Sequence, residues 1–192
     1  GCTASNSLLV ANGGYEGGGA HGSELFNCAL VRNGAGSIGG GALGGRLINC
    51  TVTGNSAAGA GGGAYDAEVN NGIVYFNTAP TGSNYSGGVI NWTCTNPLPA
   101  GGTNNSTADP LLADGFHLSA GSPCLGAGSV DFAGGLDLDG EVWLNPPAVG
   151  CDQFYSGNAT GALTLVLRAN HTNVTMGFVV NLTAELTGHA GA

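Results

Sequence analysis

The chain has 192 residues, of which 38 are glycine, and its hydrophobic content is 42%. This hydrophobic content is too high for a disordered chain, and glycine without a Gly-X-Y period does not indicate collagen. Charged residues make up only 8%, the net charge is −9, and the only cations at neutral pH are Arg32, Arg46 and Arg168. So few cations argue against nucleic acid and anionic membranes as partners, and no apolar run reaches the ~20 residues of a membrane span.

A sequence repeat runs through the first half of the chain. The segments "ELFNCALVRNGAGSIGGGALGG" (24–45) and "RLINCTVTGNSAAGAGGGAYDA" (46–67) share an Asn-Cys pair, a later asparagine and a Gly-Gly-Gly-Ala block. The next repeat, 68–89, keeps the asparagines and has Gly72 in the cysteine position, and one more step lands on Cys94. A fixed period of roughly 22 residues indicates a repeat architecture in which each unit buries its apolar face against its neighbours.

The repeats contain short strand-like segments rather than helices. "LINCTVT" and "NNGIVYF" are rich in β-branched and aromatic residues, and glycine blocks separate them. Glycine every few residues would cost a helix about 1 kcal/mol each. We therefore predict an all-β parallel β-helix of about 22 residues per coil, with successive coils about 4.8 Å apart. Asn12, Asn33, Asn55 and Asn77 are predicted to form one ladder along a corner.

A second pattern follows the repeats: "ADPLLADGFHLSAGSPCLGAGS" (108–129), "DLDGE" (137–141) and "CDQFY" (151–155). Together these segments resemble the closing segment of right-handed parallel β-helix, pectin-lyase-like surface proteins. The resemblance implies a right-handed parallel β-helix over residues 1–155, with the closing segment at about 108–155. Because such segments occur on enzymes and on structural adhesins alike, the resemblance implies a fold and not an activity.

The last part, 156–192, has a different character. "TGALTLVLRANHTNVTMGFVVNLTAELTG" contains two alternating strands and resembles the first strands of bacterial Ig-like or PKD-like β-sandwich domains. Two strands are not a stable sandwich alone. We therefore expect completion by residues beyond Ala192 or by strand exchange with a neighbouring copy at residues 162–186.

Six cysteines without a Cys-x-x-Cys motif favour disulfides over zinc. Cys28 and Cys50 occupy one position on successive coils, so we expect a bond between them. For Cys124 the candidates are Cys151 and Cys94, and the resembled closing segment favours Cys151.

Asn-x-Ser/Thr sequons are several times more frequent than the composition predicts, and seven of the nine carry threonine. Their number favours a secreted glycoprotein. Asn49 is the expected exception, because Cys50 is predicted to hold it inside the coil. The nine acceptors are Asn49, Asn84, Asn91, Asn104, Asn105, Asn158, Asn170, Asn173 and Asn181.

The coils contain few groups for catalysis. Their acids are Glu24, Asp66 and Glu68, and the repeat places Arg46 beside Glu68, which predicts a surface ion pair. His117 lies in the "FHL" of the closing segment, where we expect it to pack. Polysaccharide hydrolases need converging carboxylates, so we expect no enzymatic activity and no catalytic residue.

The "DLDGE" segment is the one weak candidate for a metal. Asp137, Asp139 and Glu141 alternate around a glycine, as oxygen ligands do in calcium loops. The segment lacks the remaining ligands of such a loop, so an Asx-type turn is the favoured interpretation, with no cofactor.

These observations predict a non-enzymatic extracellular structural glycoprotein, the repeating unit of a filament, sheath or cell-surface appendage. It would self-associate through unfinished ends, with Cys2 as a candidate bridge between units. The first alternative is a carbohydrate-active enzyme with a divergent site, which paired carboxylates in a cleft would favour. The second is an adhesin or carbohydrate-binding module, which a groove lined by Tyr65, Tyr75 and Trp92 would favour.

Overall fold

Residues 3–95 wind into a parallel β-solenoid of about four coils. This confirms the predicted fold class. The structure, a computed structural model, describes residues 1–156, 159–169 and 182–190. These described residues form only strands, turns and loops, so they contain no helix long and apolar enough to cross a membrane.

The strands stack into four parallel sheets that run along the solenoid axis. Sheet 1 contains Thr3–Ser5, Glu24–Phe26, Arg46–Ile48, Glu68–Asn70 and Val89–Asn91. Sheet 2 contains Leu8–Val10, Ala29–Val31, Thr51–Thr53, Ile73–Tyr75 and Cys94–Thr95. Sheet 3 contains Gly13–Gly14, Gly34–Ala35 and Ser56–Ala57. Sheet 4 contains Ala20–His21, Ala42–Leu43, Ala64–Tyr65 and Tyr85–Ser86.

The register confirms the predicted period in the central coils and corrects it at both ends. Arg46 pairs with Glu24 on one side and with Glu68 on the other, a step of 22 each time. Thr3 pairs with Glu24 and Glu68 with Val89, and each of these steps is 21. In sheets 1 and 2 the first and last steps are therefore one residue shorter than the sequence repeat predicted, whereas in sheet 4 Ala20 pairs with Ala42, the predicted step of 22.

The shorter last step changes the place of Cys94. We expected Cys94 in the position of Cys28, Cys50 and Gly72, but it pairs with Ile73. Because neighbouring residues of a strand point to opposite faces, a slip of one residue turns a side chain to the other face of the sheet. Cys94 therefore lies on the outer face of sheet 2, among residues that contact the closing segment.

The inner core is a column of aliphatic side chains contributed by sheets 1 and 2. Each of them is at most 1% exposed, and each full burial stabilises the fold by about 1.5–3 kcal/mol. Repetition of the same inward positions on each coil produces this column, as the sequence period predicted. Its largest members are Leu25, Leu30, Leu47, Val52, Val69 and Val74.

The glycine blocks lie where the backbone of the neighbouring coil leaves no space for a side chain. A Cβ atom on Gly40 would lie 2.3 Å from the carbonyl oxygens of both Gly62 and Ser56. Gly18 and Gly62 are equally confined on their own coils. No side chain fits at such distances without moving the backbone, so the repeat requires glycine at these positions.

The closing segment runs back along the outside of sheet 2, from the fourth coil to the first. At one corner of the solenoid, an asparagine of each coil forms a hydrogen bond with the backbone of the closing segment. The pairs are Asn71 with Ser129, Asn49 with Phe132, Asn27 with Leu136 and Asn6 with Leu136. The segment thereby forms a second, outer core against sheet 2, whose strands Ala29–Val31 and Thr51–Thr53 are buried on both faces.

The C-terminal strands that we predicted form an antiparallel pair, Ala159–Ala169 with Leu182–Ala190. Most of the predicted exchange segment 162–186 falls in this pair, but residues 170–181 lie outside the described residues.

Candidate functional site

His117 is the centre of a charged network in the closing segment. Its Nδ1 contacts Asp114 Oδ2 at 2.6 Å, and its Nε2 contacts Asp139 Oδ2 at 3.1 Å. The histidine is only 9% exposed, and Asp139 comes from the "DLDGE" turn. We predicted that His117 packs in the closing segment. Its contacts with Asp114 and Asp139 also link two separate turns of that segment.

The protonation of His117 follows from these contacts. Burial lowers the pKa of His117, but the hydrogen bonds to Asp114 and Asp139 outweigh it and raise the pKa to about 9. Burial raises the pKa of Asp114, and its hydrogen bonds from His117 and from backbone amides lower it to about 2. At neutral pH the network therefore contains an imidazolium beside the ionised Asp114, with Asp139 Oδ2 at its other ring nitrogen.

A cluster of three buried carboxylates lies next to this network. Oxygen atoms of Asp137, Glu141 and Asp152 are within 4.8 Å of one another. Asp137 Oδ1 accepts hydrogen bonds from the amides of Asp139 (3.0 Å) and Glu141 (2.7 Å), and Oδ2 accepts from Gln153 (2.9 Å). The bond to the residue two positions on is that of an Asx turn, the favoured interpretation of this segment.

The three residues that the sequence suggested for calcium do not form one set. Asp137 and Glu141 are grouped with Asp152, while Asp139 is grouped with His117 and Asp152. His117 supplies the positive charge of the second set, which leaves Asp137, Glu141 and Asp152 as the set with cation-binding chemistry. Calcium there stays a prediction. Sequence reasoning missed Asp152, since nothing in the local pattern of "CDQFY" places it beside residues 137–141.

Comparisons with protein-family models, with curated proteins and with solved structures found no match. The parallel β-solenoid is therefore established by the strand topology of this chain itself.

The outer face of sheet 1 carries the ion pair that the repeat predicted. Arg46 Nε lies 3.1 Å from Glu68 Oε2, and Arg46 Nη1 lies 3.9 Å from Glu24 Oε1. All three side chains are at least 40% exposed, so each pair contributes less than about 1 kcal/mol to stability. The three charged side chains therefore form a solvent-exposed row across three coils that contributes little to stability.

The fold uses the side-chain nitrogens of four sequon asparagines. Asn49, 1% exposed, donates to Asn27 Oδ1 (3.1 Å) and to the carbonyl oxygen of Phe132 (2.8 Å). Asn84, 8% exposed, donates to the carbonyl oxygen of Asn96 at 2.7 Å. A glycan replaces a hydrogen of this nitrogen and needs space, so both sites are closed in the folded protein.

The other described sequons differ in accessibility. Asn91 donates to Asn70 Oδ1 at 3.1 Å, and Asn105 donates to the carbonyl oxygen of Ile90 at 2.8 Å. Asn104 is exposed on the loop beside them and is the best acceptor among the described sequons. Glycosylation itself stays a prediction. The remaining acceptors lie outside the described residues: Asn158, Asn170, Asn173 and Asn181.

All six cysteines are thiols in the structure, and four of them are arranged in pairs. Cys28 and Cys50 pack together in the inner core, where their thiols donate to the carbonyl oxygens of Phe26 (3.1 Å) and Ile48 (3.3 Å), and the disulfide bond between them stays a prediction. Cys94 and Cys124 lie together in the outer core and line the same small cavity. Cys151, the partner that the resemblance implied for Cys124, packs with Ala29 and Val31 in a different cluster.

The aromatic residues suggested for a sugar groove lie apart. Tyr65 belongs to sheet 4, and Tyr75 belongs to sheet 2, where its hydroxyl donates to the carbonyl oxygen of Thr107 at 3.2 Å. Trp92 follows the last strand of sheet 1 and lines a small cavity of about 20 Å³.

An aromatic cleft does occur elsewhere. Phe76, 52% exposed, shares a cleft of about 330 Å³ with Arg32 and Asp114, and Gly54 lies in the same lining. Arg32, Gly54 and Phe76 each follow a strand of sheet 2 and have positive φ, so they form one stacked corner.

Proposed function

We propose that this chain is a non-enzymatic structural segment of an extracellular glycoprotein and assembles into a filament, sheath or appendage. The observation that carries the proposal is the sheet edge that the first described coil presents. All four sheets end there, on Thr3–Ser5, Leu8–Val10, Gly13–Gly14 and Ala20–His21, each paired on one side only among the described strands. A parallel edge of this kind pairs with a further coil, which a preceding part of the same protein or another copy can supply, and the proposal is that another copy supplies it.

The surroundings of the carboxylates favour a structural role over catalysis. Asp137, Glu141 and Asp152 converge, but each is at most 4% exposed, and Asp137 binds three backbone amides. A glycosidase needs two carboxylates that reach a substrate in a cleft. Here the converging carboxylates hold turns of the closing segment together.

The extracellular location is supported by the sequons and by the cysteine arrangement. Asn104 presents an exposed acceptor, and the Cys28–Cys50 contact suits an oxidising compartment. The resemblance to pectin-lyase-like surface proteins and to the first strands of an Ig-like domain is consistent with a surface protein made of several domains.

A charge on the sheet edge of the first described coil tests the assembly. Leu8 lies in the edge strand of sheet 2 and is 51% exposed. We expect the wild-type chain to form larger species with rising concentration in light scattering, and Leu8→Lys to suppress them, because lysine on an edge strand opposes pairing. Val142→Lys, at a 64% exposed position of the closing segment, is the matched control. A wild-type chain that stays monomeric at high concentration would refute the proposed assembly.

The second candidate function is binding of a neutral saccharide in the Arg32–Phe76–Asp114 cleft. The observation that favours it is the combination of an exposed aromatic face with one donor and one acceptor group in one cleft. The ionised Asp114 and the net charge of −9 disfavour acidic sugars. Titration calorimetry with neutral oligosaccharides tests this role, and Phe76→Ala should abolish any heat of binding, whereas Tyr15→Ala, at a 77% exposed position outside the cleft, should not.

A further inference from the structure

The contact between Cys94 and Cys124 joins the last coil of the solenoid to the closing segment. Cys94 faces outward because its register partner is Ile73 rather than Gly72. Cys124 packs in the same apolar cluster, and the Cys94 thiol donates to the carbonyl oxygen of Ala108 at 3.0 Å. The two residues are 2% and 1% exposed, and both line the cavity of about 20 Å³ near Trp92.

The backbone holds both thiols in place. The amide of Cys94 donates to the carbonyl oxygen of Gly72 at 2.9 Å, which fixes it in sheet 2. The amide of Cys124 donates to Ser122 Oγ at 3.1 Å, and its carbonyl oxygen accepts from Val149 at 3.1 Å. Both cysteines therefore lie on fixed backbones, in one apolar cluster and beside one cavity, which is the proximity that a disulfide requires.

Cys151 is held away from this pair. Its amide donates to Thr51 Oγ1 at 3.0 Å, its thiol faces the carbonyl oxygen of Phe116 at 3.9 Å, and its neighbours belong to a separate apolar cluster. Pairing Cys124 with Cys151 would require this packing to be rearranged.

We propose that Cys94 and Cys124 are a disulfide site, whose bond ties the closing segment to the last coil, while Cys151 remains a thiol. The bond closes a loop that runs from Cys94, in the last strand of sheet 2, to Cys124, in the closing segment. It therefore removes conformations from the unfolded chain in which the closing segment is detached.

The reaction needs an oxidant of the disulfide class. The neighbouring thiol of Cys94 and the hydroxyl of Ser122 lower the pKa of Cys124, which makes Cys124 the attacking sulfur. Its thiolate attacks one sulfur of the external disulfide and releases the other as a thiol. The Cys94 sulfur then displaces the second thiol, so two protein thiols are oxidised and one external disulfide is reduced to two thiols.

Refolding of the reduced chain in a buffer that contains oxidised glutathione, where the thiols are accessible before they are buried, tests the site. After alkylation of the remaining thiols under denaturing conditions, the protein is digested without reduction, and the linked peptides are identified by mass spectrometry. We expect a Cys94–Cys124 link, an alkylated Cys151 and a shift of the urea midpoint to higher concentration. A Cys124–Cys151 link, or an unlinked Cys94 in the oxidised folded chain, would overturn the proposal.

Two variants serve as matched controls. Cys151→Ser should leave the Cys94–Cys124 link and its effect on the urea midpoint unchanged. Cys94→Ser should leave Cys124 alkylated, and a new link to Cys151 in this variant would show that the pairing is not fixed by the fold. If Cys94→Ser does not fold, the wild-type peptide map still decides the matter. The pairing does not depend on assembly, so light scattering on the same samples separates the two proposals.

Discussion

The side-chain nitrogen of Asn33 donates a hydrogen bond to the side-chain oxygen of Asn55 at 3.0 Å, one coil away. The same bond joins Asn12 to Asn33 at 3.0 Å and Asn55 to Asn77 at 2.9 Å, so the predicted ladder is confirmed. It extends one member further, since Asn77 donates to Asn84 Oδ1 at 3.2 Å. A stack of amides thus runs along the solenoid and fixes the coil spacing.

Substitution of an asparagine in the middle of this ladder is expected to cause the largest loss of stability. Asn55→Ala removes bonds to Asn33 and Asn77 and leaves the carbonyl oxygen of Leu30 without its donor at 2.9 Å. Since buried groups are left unsatisfied, we expect a loss of about 3 kcal/mol or more in the free energy of unfolding, measured in urea. Asn12→Ala, at the exposed end, should cost less than about 1 kcal/mol, and equal losses would contradict a ladder.

Addition of a methyl group at Gly40 should reduce the free energy of unfolding about as much as Asn55→Ala does. The added Cβ would lie 2.3 Å from two carbonyl oxygens of the neighbouring coil, and the backbone on both sides is paired. We expect Gly40→Ala to reduce the free energy of unfolding by about 3 kcal/mol. Gly101→Ala, where nothing lies within 4 Å of the added atom, is the control and should be nearly neutral in the same denaturation series.

The His117 network predicts a pH dependence of stability. Because the pKa of His117 is raised from 6.5 to about 9, its contribution is complete below pH 6.5 and is lost as the pH rises through about 9. Because the pKa of Asp114 is lowered from 3.8 to about 2, its contribution is present above pH 3.8 and is lost as the pH falls through about 2. Stability from this network is therefore greatest between these ranges.

Thermal unfolding at a series of pH values measures this effect. Between pH 6.5 and 9.5 the titration of His117 should reduce the free energy of unfolding of the wild-type chain by up to about 3 kcal/mol. The His117→Gln substitution should remove that pH dependence. His21→Gln, at an exposed position, is the matched control and should follow the wild-type curve. The interpretation fails if His117→Gln has the same pH profile as the wild type.

Glycan occupancy should follow the accessibility of the asparagine nitrogen. In protein secreted from a glycosylating host, we expect a glycan on Asn104 and none on Asn49 or Asn84, since the latter two donate their nitrogens inside the fold. Peptide mass spectrometry after amidase treatment in heavy-oxygen water reads occupancy site by site. A glycan on Asn84 would contradict the buried end of the ladder.

The sequence alone determined the solenoid. Its period, the stacked asparagines and the glycine blocks all act between coils in equivalent positions, so a local pattern repeated once per coil is enough to place them. The Arg46–Glu68 pair and the contact between Cys28 and Cys50 follow from the same rule.

Tertiary structure decided what the repeat does not specify. One residue fewer in the last step turned Cys94 outward and gave it Cys124 as a neighbour, and no local pattern shows that slip. The return of the closing segment along sheet 2 brought Asp152 to Asp137 and closed the sequon at Asn49. These contacts join residues far apart in a chain without periodicity there, so only the folded packing could define them.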